Sequence, residues 1–282
     1  MEVKNPVIQM KNIGHSESYQ LTTTSKVVVE NRMYENEIQT VVKQSLLDQS
    51  PSGNLIGVEV ISNQQKMQDA TSMLINDLNQ INQYIVFETN TDGAILHITN
   101  YTDLVTKWYP IKEDMRDKYG QSEEVEQFLA AFEKNLFAGE ELILDSMKYK
   151  GVYGILLSGI YAFTVNPKFK SKRNIKNLFG ELDLPLIVSN ETSSGWKDDG
   201  AIFKISGVGK LNVEEFKNKE FEAMIKSIRD SFNLKVNLNV EYSENYELRQ
   251  SDVWITEAEQ HLKVEVSGIY LNEIHHRLTL KE

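Results

Sequence analysis

The stretch LKVNLNVEY at residues 234–242 decides the fold class, because its side chains alternate strictly between apolar and polar. Alternation with a period of two is typical of a β-strand that has one buried face and one solvated face. Similar alternation occurs near the other end of the chain, at residues 19–29, whereas much of the sequence between these ends has apolar and aromatic residues spaced as in helices. The sequence therefore predicts one sheet built from both ends of the chain, with a helical middle.

Strands are predicted from alternation and from turn residues. The main ones lie at residues 19–30, 37–47 and 55–61 in the N-terminal part and at 234–242, 253–266 and 269–280 in the C-terminal part. Shorter strands are predicted at 84–89 and 94–99, joined by Asn90-Thr91-Asp92-Gly93, because Asp-Gly favours the positive φ angles of a tight hairpin. Two more are predicted at 184–189 and 201–206, around a loop at 193–200.

Helices are predicted where apolar side chains recur at spacings of three and four residues. The first begins at Ser62 or Asn63 and carries Leu74, Leu78 and Ile81; the others cover residues 104–111, 125–136, 140–145 and 221–232. The segment Gly207-Val208-Gly209-Lys210 is predicted to be a turn between a strand and a helix. It is not a phosphate-binding loop, because Lys204 and Leu211 occupy positions at which that motif requires glycine and Ser or Thr.

The layout of long amphipathic strands from both ends around central helices resembles the lipoprotein-carrier type of half-barrel found in bacterial envelope proteins, which hold an acyl chain between sheet and helices. The resemblance implies an α+β fold, with a curved, mostly antiparallel sheet packed over a helical middle. Residues 1–282 are expected to form a single folding unit. Two lobes within it, 1–165 and 175–282, would be joined by a basic loop at 166–174.

Composition excludes several classes of function. The net charge of −11 disfavours nucleic-acid binding, which needs a basic surface, and admits a cationic partner. The chain has no cysteine, so disulfides, thiolate zinc sites and cysteine nucleophiles are excluded. No transmembrane segment is expected, because the longest apolar run, 151–165, is shorter than the roughly 20 residues that a spanning helix needs. This run is predicted to be buried core.

The compartment and the oligomeric state stay open. Residues 1–6 lack the apolar centre of a signal peptide. A cytoplasmic location is expected if Met1 is the native start, and a periplasmic or envelope location if an export segment was removed.

No catalytic, cofactor or metal site is predicted. The chain has five histidines, and none has the helical spacing of a shared metal site. The adjacent His275 and His276 lie in a predicted strand and should therefore point to opposite faces. Paired carboxylates such as Glu123-Glu124 lie at helix starts, where the helix dipole accounts for them. An enzyme whose site is assembled from distant segments stays an alternative.

Two sets of residues are candidates for binding. Six aromatic residues of the middle could line an apolar pocket or could fill a core: Trp108, Tyr109, Phe128, Phe132, Tyr153 and Tyr161. Contacts with a protein partner are predicted in two loops, one carrying Trp196, Asp198 and Asp199 and the other carrying Lys170, Lys172 and Arg173.

The predicted function is binding without catalysis. The protein is expected to hold an apolar small molecule, or an apolar segment of a protein partner, between the sheet and the helices. The alternative is an acidic protein-interaction module, such as an immunity protein or a component of a larger assembly. An enclosed cavity would favour the first function and a filled interior the second.

Overall fold

Eleven strands form one sheet in the computed structural model, which describes residues 10–29, 32–67, 70–120, 122–161, 168–179, 182–197, 200–229 and 237–281. Every pair of neighbouring strands is antiparallel. The strands are β1 (Ser16–Val29), β2 (Arg32–Ser50), β3 (Gly53–Gln65), β4 (Tyr84–Asn90), β5 (Ile95–Ile98), β6 (Lys168–Phe179), β7 (Leu182–Lys197), β8 (Gly200–Leu211), β9 (Leu238–Arg249), β10 (Ile255–Val266) and β11 (Tyr270–Leu280).

The helices come in one group between β3 and β6, with a further helix between β8 and β9. They are α1 (Ala70–Leu78), α2 (Tyr101–Tyr119), α3 (Glu123–Phe137), α4 (Glu140–Met147), α5 (Gly151–Leu156) and α6 (Asn218–Arg229), and a 3₁₀ turn at Asn79–Asn82 follows α1. The predicted α+β class, with a curved antiparallel sheet over a helical middle, is confirmed. None of the helices in the described part of the chain combines the length and the hydrophobicity that a transmembrane span requires.

The first and last strands of the chain pair with each other in the middle of the sheet. The strand order is β5-β4-β3-β2-β1-β11-β10-β9-β8-β7-β6, and β1 pairs with β11 from Tyr19 opposite Leu280 to Val29 opposite Tyr270. The sheet predicted from both ends of the chain is therefore confirmed. The edge strands are β5 and β6. Because α2, α3, α4 and α5 lie between them in the sequence, these helices connect one edge of the sheet to the other.

Helix α4 contacts both edge strands. At one edge the carboxylate of Glu140 accepts a hydrogen bond from the Ile98 backbone N–H of β5, over 2.5 Å. At the other edge Asp145 of α4 lies 3.6 Å from the ammonium group of Lys176 in β6. Exposed strand edges can pair with other chains, and a helix that covers them removes that route to aggregation.

Most of the apolar core lies between the helices and one face of the sheet, which we call the inner face. Residues on the central strands pack against α4, α5 and the segment after α5, where Tyr161 is fully buried. A second cluster joins β7, β9 and β10 to Phe221 and Ile225 of α6, and a third lies among α1, α2 and α3. The prediction that the apolar run starting at Gly151 is core is confirmed for the buried stretches 153–158 and 160–161; residues 162–165 lie outside the described residues.

The predicted Asp-Gly hairpin is confirmed between β4 and β5. Gly93 has a φ of 83°, a value that costs glycine little, and a Cβ atom there would lie 2.3 Å from Cδ2 of Tyr161. The Tyr161 backbone N–H also donates a hydrogen bond to the carbonyl of Asp92, over 2.8 Å. The turn is thus shaped both by its own backbone and by the ring that packs on it.

Several predicted boundaries are wrong, in each case because a strand continues further than its sequence pattern. Strand β3 extends to Gln65, so Ser62 and Asn63 are strand residues and not helix caps. Strand β7 extends through the predicted loop to Lys197, and Gly207–Lys210 lies within β8 and not in a turn. The strand predicted at 234–242 is observed from Leu238 to Arg249, and its first residues lie outside the described part.

The basic loop predicted at 166–174 is also wrong where the structure describes it, because Lys168–Phe179 forms β6. Lys168, Lys170 and Lys172 are exposed, and the residues that alternate with them, such as Arg173 and Ile175, turn towards the interior. A charged run can therefore be the solvated face of a strand. The expectation of a single folding unit stays a prediction.

Candidate functional site

A cavity of about 650 Å³ lies between the inner face of the sheet and the helical layer. This volume falls within the range of about 300–1,000 Å³ that is usual for small-molecule sites. Its apolar lining comes from three strands and from the segment around α5: Leu21, Ile38, Val60, Ile61, Met147, Val152 and Tyr153. The cavity lies where the sequence predicts an apolar ligand, between the sheet and the helices, and it is partly open to solvent.

The strand side of the cavity follows from the register of the sheet. Leu21 and Thr23 are two residues apart on β1 and so point to the same face. Thr23 lies opposite Ile38 of β2 on one side and opposite His276 of β11 on the other. Leu21 lies opposite Thr40. Pairing of β1 with both neighbours therefore brings these side chains into one wall of the cavity.

A β-bulge at Ile61 shapes the rim of this wall. Val42 of β2 pairs with Val60, whereas the preceding Val41 pairs with Ser62, so Ile61 has no partner across the ladder. A bulge of this kind redirects side chains and bends its strand. As a result both Val60 and Ile61 line the cavity, although they are adjacent in sequence, and Ile61 keeps 51% of its surface exposed.

The helical side of the cavity is rich in carboxamides, from Asn76, Asn79, Gln80, Asn82 and Gln83. A chain of hydrogen bonds fixes this side to the sheet: Thr40 Oγ1 donates to Asn63 Oδ1 over 2.9 Å, and Asn63 Nδ2 donates to Asn76 Oδ1 over 2.8 Å. Tyr153 also donates its hydroxyl proton to the Asn82 carbonyl, over 3.1 Å. The cavity wall is thus mixed: the sheet adds Thr23, Thr40, Ser62 and Asn63 to its apolar side chains, and the helical side adds Met147, Val152 and Tyr153 to its carboxamides.

The charge of the cavity wall is opposite to that of the whole chain. Among the described residues that line it none is acidic, and the ionisable bases are Lys150 and His276. Burial lowers the pKa of Lys150 below its ordinary value, and the charge of Asp183 acts in the opposite direction. Asp183 itself pairs with Lys176, over 3.0 Å, and Lys150 forms no ion pair with any residue that the structure describes.

His276 lies at the strand wall of the cavity, next to Thr23. Its Nδ1 is 2.8 Å from Thr23 Oγ1, and its neighbour His275 points to the opposite face of the sheet, where its Nε2 is 2.6 Å from Glu259 Oε1. The predicted opposite orientation of the two histidines is therefore confirmed. Burial, and to a smaller extent the positive charge of His275, lower the pKa of His276 to about 4.

The lowered pKa of His276 predicts a loss of stability in acid. The unfolded chain binds a proton at a pKa of about 6.5, whereas the folded chain does so only near 4, so stability is full above about pH 6.5 and is lost as the pH falls towards 4. Between pH 7.5 and 5 this histidine should account for about 2 kcal/mol of lost unfolding free energy.

Urea denaturation of the wild type and His276→Gln at both pH values measures this contribution. The variant should lose about 2 kcal/mol less than the wild type between the two pH values. His97→Gln, at a residue with 65% of its side chain exposed, should keep the wild-type dependence. If His276→Gln also keeps it, the histidine does not stay neutral in the folded state.

The six aromatic candidates are distributed over four places. Trp108 is fully buried among the helices, with its ring 4.9 Å from that of Phe132, and Phe128 packs on the same cluster. Tyr109 is largely exposed, 6.1 Å from the ring of Phe137. Tyr161 is buried, and its hydroxyl contacts Gln44. Of the six, only Tyr153 lines the cavity.

The candidates for partner contact that the structure describes differ in exposure. Trp196, at the end of β7, is 83% exposed, and Lys170 and Lys172 are exposed on β6. Asp198 and Asp199 lie outside the described residues. Arg173 is 5% exposed, so its placement in a solvated loop is wrong.

Arg173 instead forms a buried ion pair with Glu244 of β9. Its Nη2 lies 2.9 Å from Oε1 of Glu244, which has no exposed surface, and Tyr242 donates its hydroxyl proton to Oε2 over 2.7 Å. Gly207 of β8 lies opposite Glu244, and a Cβ atom there would come 2.8 Å from Glu244 Cγ. This glycine therefore provides the space that the buried carboxylate occupies.

The outer face of the sheet carries a second, open depression, of about 670 Å³. Two histidines lie at its centre: His261 faces His275 with 5.9 Å between the rings, and His261 Nε2 is 2.9 Å from Glu273 Oε1. Acidic and basic residues of β1, β2, β10 and β11 surround them. In the described part of the chain no three histidine or carboxylate groups are arranged as ligands for a metal ion.

The polar part of the cavity wall could not be predicted from the sequence, for a definite reason. Its carboxamides and His276 become neighbours only through strand pairing, and the hydrogen bond from β1 to His276 joins residues 253 positions apart. One signal was present: residues 76–83 contain five Asn and Gln on a predicted helix that must also bury Leu78 and Ile81. Such a density of carboxamides beside a buried face indicates a polar surface that meets another element.

Comparison with known proteins gives a likeness of fold alone. No protein-family model matches the sequence, and no curated protein is significantly similar to it. A solved structure described as lipid–protein interactions in lipovitellin aligns with 96% of this chain and 25% of its own, with a TM-score of 0.50 and 10% sequence identity. The chain thus spans about a quarter of the length of that protein.

Two bacterial outer membrane proteins also align, with much lower scores. One is a loop-deletion mutant of OmpT from Vibrio cholerae, aligned over 96% of this chain and 100% of its own, with 9% identity and a TM-score of 0.19. The other is an outer membrane channel from Pseudomonas putida F1, aligned over 97% of this chain and 98% of its own, with 5% identity and a TM-score of 0.17. At these scores the alignments carry no information about the fold.

Proposed function

We propose that the protein is a non-catalytic binding protein that holds an apolar ligand, or an apolar segment of a partner, between the curved sheet and the helices. The observation that carries this proposal is the cavity of about 650 Å³ on the inner face. An interior filled by close packing would leave no such space. The similarity in fold to a structure described by lipid–protein interactions is compatible with the proposal.

Ile38 offers a direct test, because it lines the cavity on β2 while the adjacent Gln39 is exposed. Successive strand residues point to opposite faces, so the same substitution at each residue forms a matched pair. Ile38→Trp should fill part of the cavity and weaken binding at least about tenfold, whereas Gln39→Trp should bind as the wild type does.

The probe for this test is a fluorescent long-chain alcohol, a neutral molecule, titrated by fluorescence anisotropy. Circular dichroism and thermal melting show whether each variant is folded. Absence of saturable binding by the wild type, or equal loss of binding in the two variants, would contradict the proposal.

The second candidate function is an acidic protein-interaction module, favoured by the charged depression on the outer face and by the exposed Trp196. Such a module would bind a basic protein with an affinity that falls as salt screens the charges. Filling the cavity by Ile38→Trp would leave that binding unchanged. The two functions are therefore separated by the same pair of variants.

A further inference from the structure

We infer that the ligand of the inner cavity is amphipathic, with an apolar chain and one anionic headgroup, and that Lys150 receives the headgroup. This inference rests on the proposed function and adds the chemical class of the ligand. It follows from three features of the cavity: the division of its wall, the sign of its charge and the position of Lys150.

The wall divides into an apolar part and a polar part. Leu21, Ile38 and Val60 of the sheet offer surface for a hydrocarbon chain, and Val152 and Tyr153 of α5 extend that surface. The carboxamides of residues 76–83 form a polar part of the wall, in which Asn79, Gln80 and Gln83 are exposed and Asn76 and Asn82 are partly buried. A purely apolar ligand would lie against the partly buried carboxamides of Asn76 and Asn82, which costs free energy for each group that loses its hydrogen bonds to water. A ligand with one polar end avoids this cost.

The charge of the wall selects the sign of that polar end. The chain carries a net charge of −11, yet none of the described residues around the cavity is acidic. Lys150 is the strong base there, since His276 is neutral at pH 7 with a pKa of about 4. An anion that enters the cavity therefore meets one ammonium group and no carboxylate of the lining; Asp183, whose charge acts on Lys150, lies outside the lining.

Lys150 is placed to receive an anion because Asp183, the carboxylate whose charge acts on it, pairs with Lys176 and lies outside the cavity lining. It is partly buried at the start of α5, and within the described ranges no carboxylate forms an ion pair with it. A partly buried ammonium group gains more from an anionic partner than an exposed one, because water screens the pair less. Without an anionic ligand in the cavity, the ammonium group of Lys150 lacks this stabilising interaction.

The test compares dodecanoate with dodecanol, which share a chain and differ in headgroup charge, by isothermal titration calorimetry on the full chain. Wild-type protein should bind dodecanoate about tenfold more tightly than dodecanol, the effect of one charge-assisted hydrogen bond. Lys150→Met should abolish this preference and leave dodecanol binding unchanged. Lys150→Arg should retain it, because the positive charge is kept.

Lys148→Met is the matched control, since Lys148 lies two residues away and is not part of the cavity wall. It should keep the wild-type preference. Equal affinity of the wild type for the two ligands, or a preference that persists in Lys150→Met, would overturn the inference while leaving binding of the chain intact. Absence of binding of either ligand would instead contradict the proposed function. If Lys150→Met does not fold, the relative affinity of the wild type for dodecanoate and dodecanol alone decides whether the ligand is anionic.

The source of the headgroup is resolved by two further ligands. A dodecyl phosphate that shows the same dependence on Lys150 would indicate a site for anionic lipids in general, and a preference restricted to dodecanoate would indicate a site for carboxylates. Inorganic phosphate and acetate serve as ligands without a chain. Either of them binding as tightly as its dodecyl counterpart would overturn the inference, because the chain would then contribute nothing.

Discussion

Glu244→Ala is expected to lower the unfolding free energy by about 3–5 kcal/mol, because it leaves the buried guanidinium of Arg173 without a counter-charge. Glu241→Ala is the matched control on the same strand. Glu241 is half-exposed and its Lys263 partner is 3.8 Å away, so that variant should lose less than about 1 kcal/mol. Urea denaturation at pH 7 measures both values.

A double variant distinguishes loss of the pair from loss of packing. Arg173→Met with Glu244→Leu removes both charges and keeps apolar volume, and replacing a buried ion pair in this way is often neutral or stabilising. It should therefore be more stable than Glu244→Ala. If Glu244→Ala lowers the unfolding free energy no more than Glu241→Ala does, the ion pair of Arg173 with Glu244 is open to water and is not buried.

Deleting all residues after Asn233 should yield insoluble protein. The deletion removes β9, β10 and β11, so β1 and β8 each lose a neighbour, and Tyr19 and Leu21 lose the β11 residues that lie opposite them, Leu280 and Leu278. A sheet that presents unpaired backbone and an apolar face is prone to aggregate. Partition between the soluble and insoluble fractions after expression measures the effect.

Co-expression of a fragment with residues 234–282 is the control for this deletion. The fragment should restore soluble protein, because it carries the three strands that the deletion removes. A truncated chain that is soluble, monomeric and cooperative on heating by itself would show independent domains, and the expectation of a single folding unit would be wrong.

Much of the sheet can be predicted from sequence because strand alternation is a local property. Residues 258–266 alternate between buried and more exposed positions in β10, and both predicted end strands of the chain are observed. Strand β6 shows the limit of this reasoning: its lysines alternate with interior residues, but a run of positive charge after Pro167 favoured a loop. The alternation was present, and the charge obscured it.

The buried ion pair shows a second limit. Glu244 lies at an interior position of β9, between Tyr242 and Tyr246, but the strand predicted from sequence ends at Tyr242. A carboxylate at an interior position requires a partner, and that partner, Arg173, is on a strand 71 residues earlier. The candidate site also depends on residues that are distant in sequence, because Lys150 and His276 line the same cavity only after β1 has paired with β11.

The pairing of β1 with β11 has a consequence for how the chain folds. If the chain ends were joined, the strand order β6 to β11 followed by β1 to β5 would be a simple meander in which each strand neighbours the next. In the natural order, nine of the ten strand pairs join strands that follow each other in sequence within one half of the sheet. The tenth pair, β1 with β11, closes a loop that contains most of the chain. Loop closure of that length opposes folding entropically, so each half can form its hairpins early, while His276 joins the cavity wall of β1, β2 and β3 only when the two halves meet.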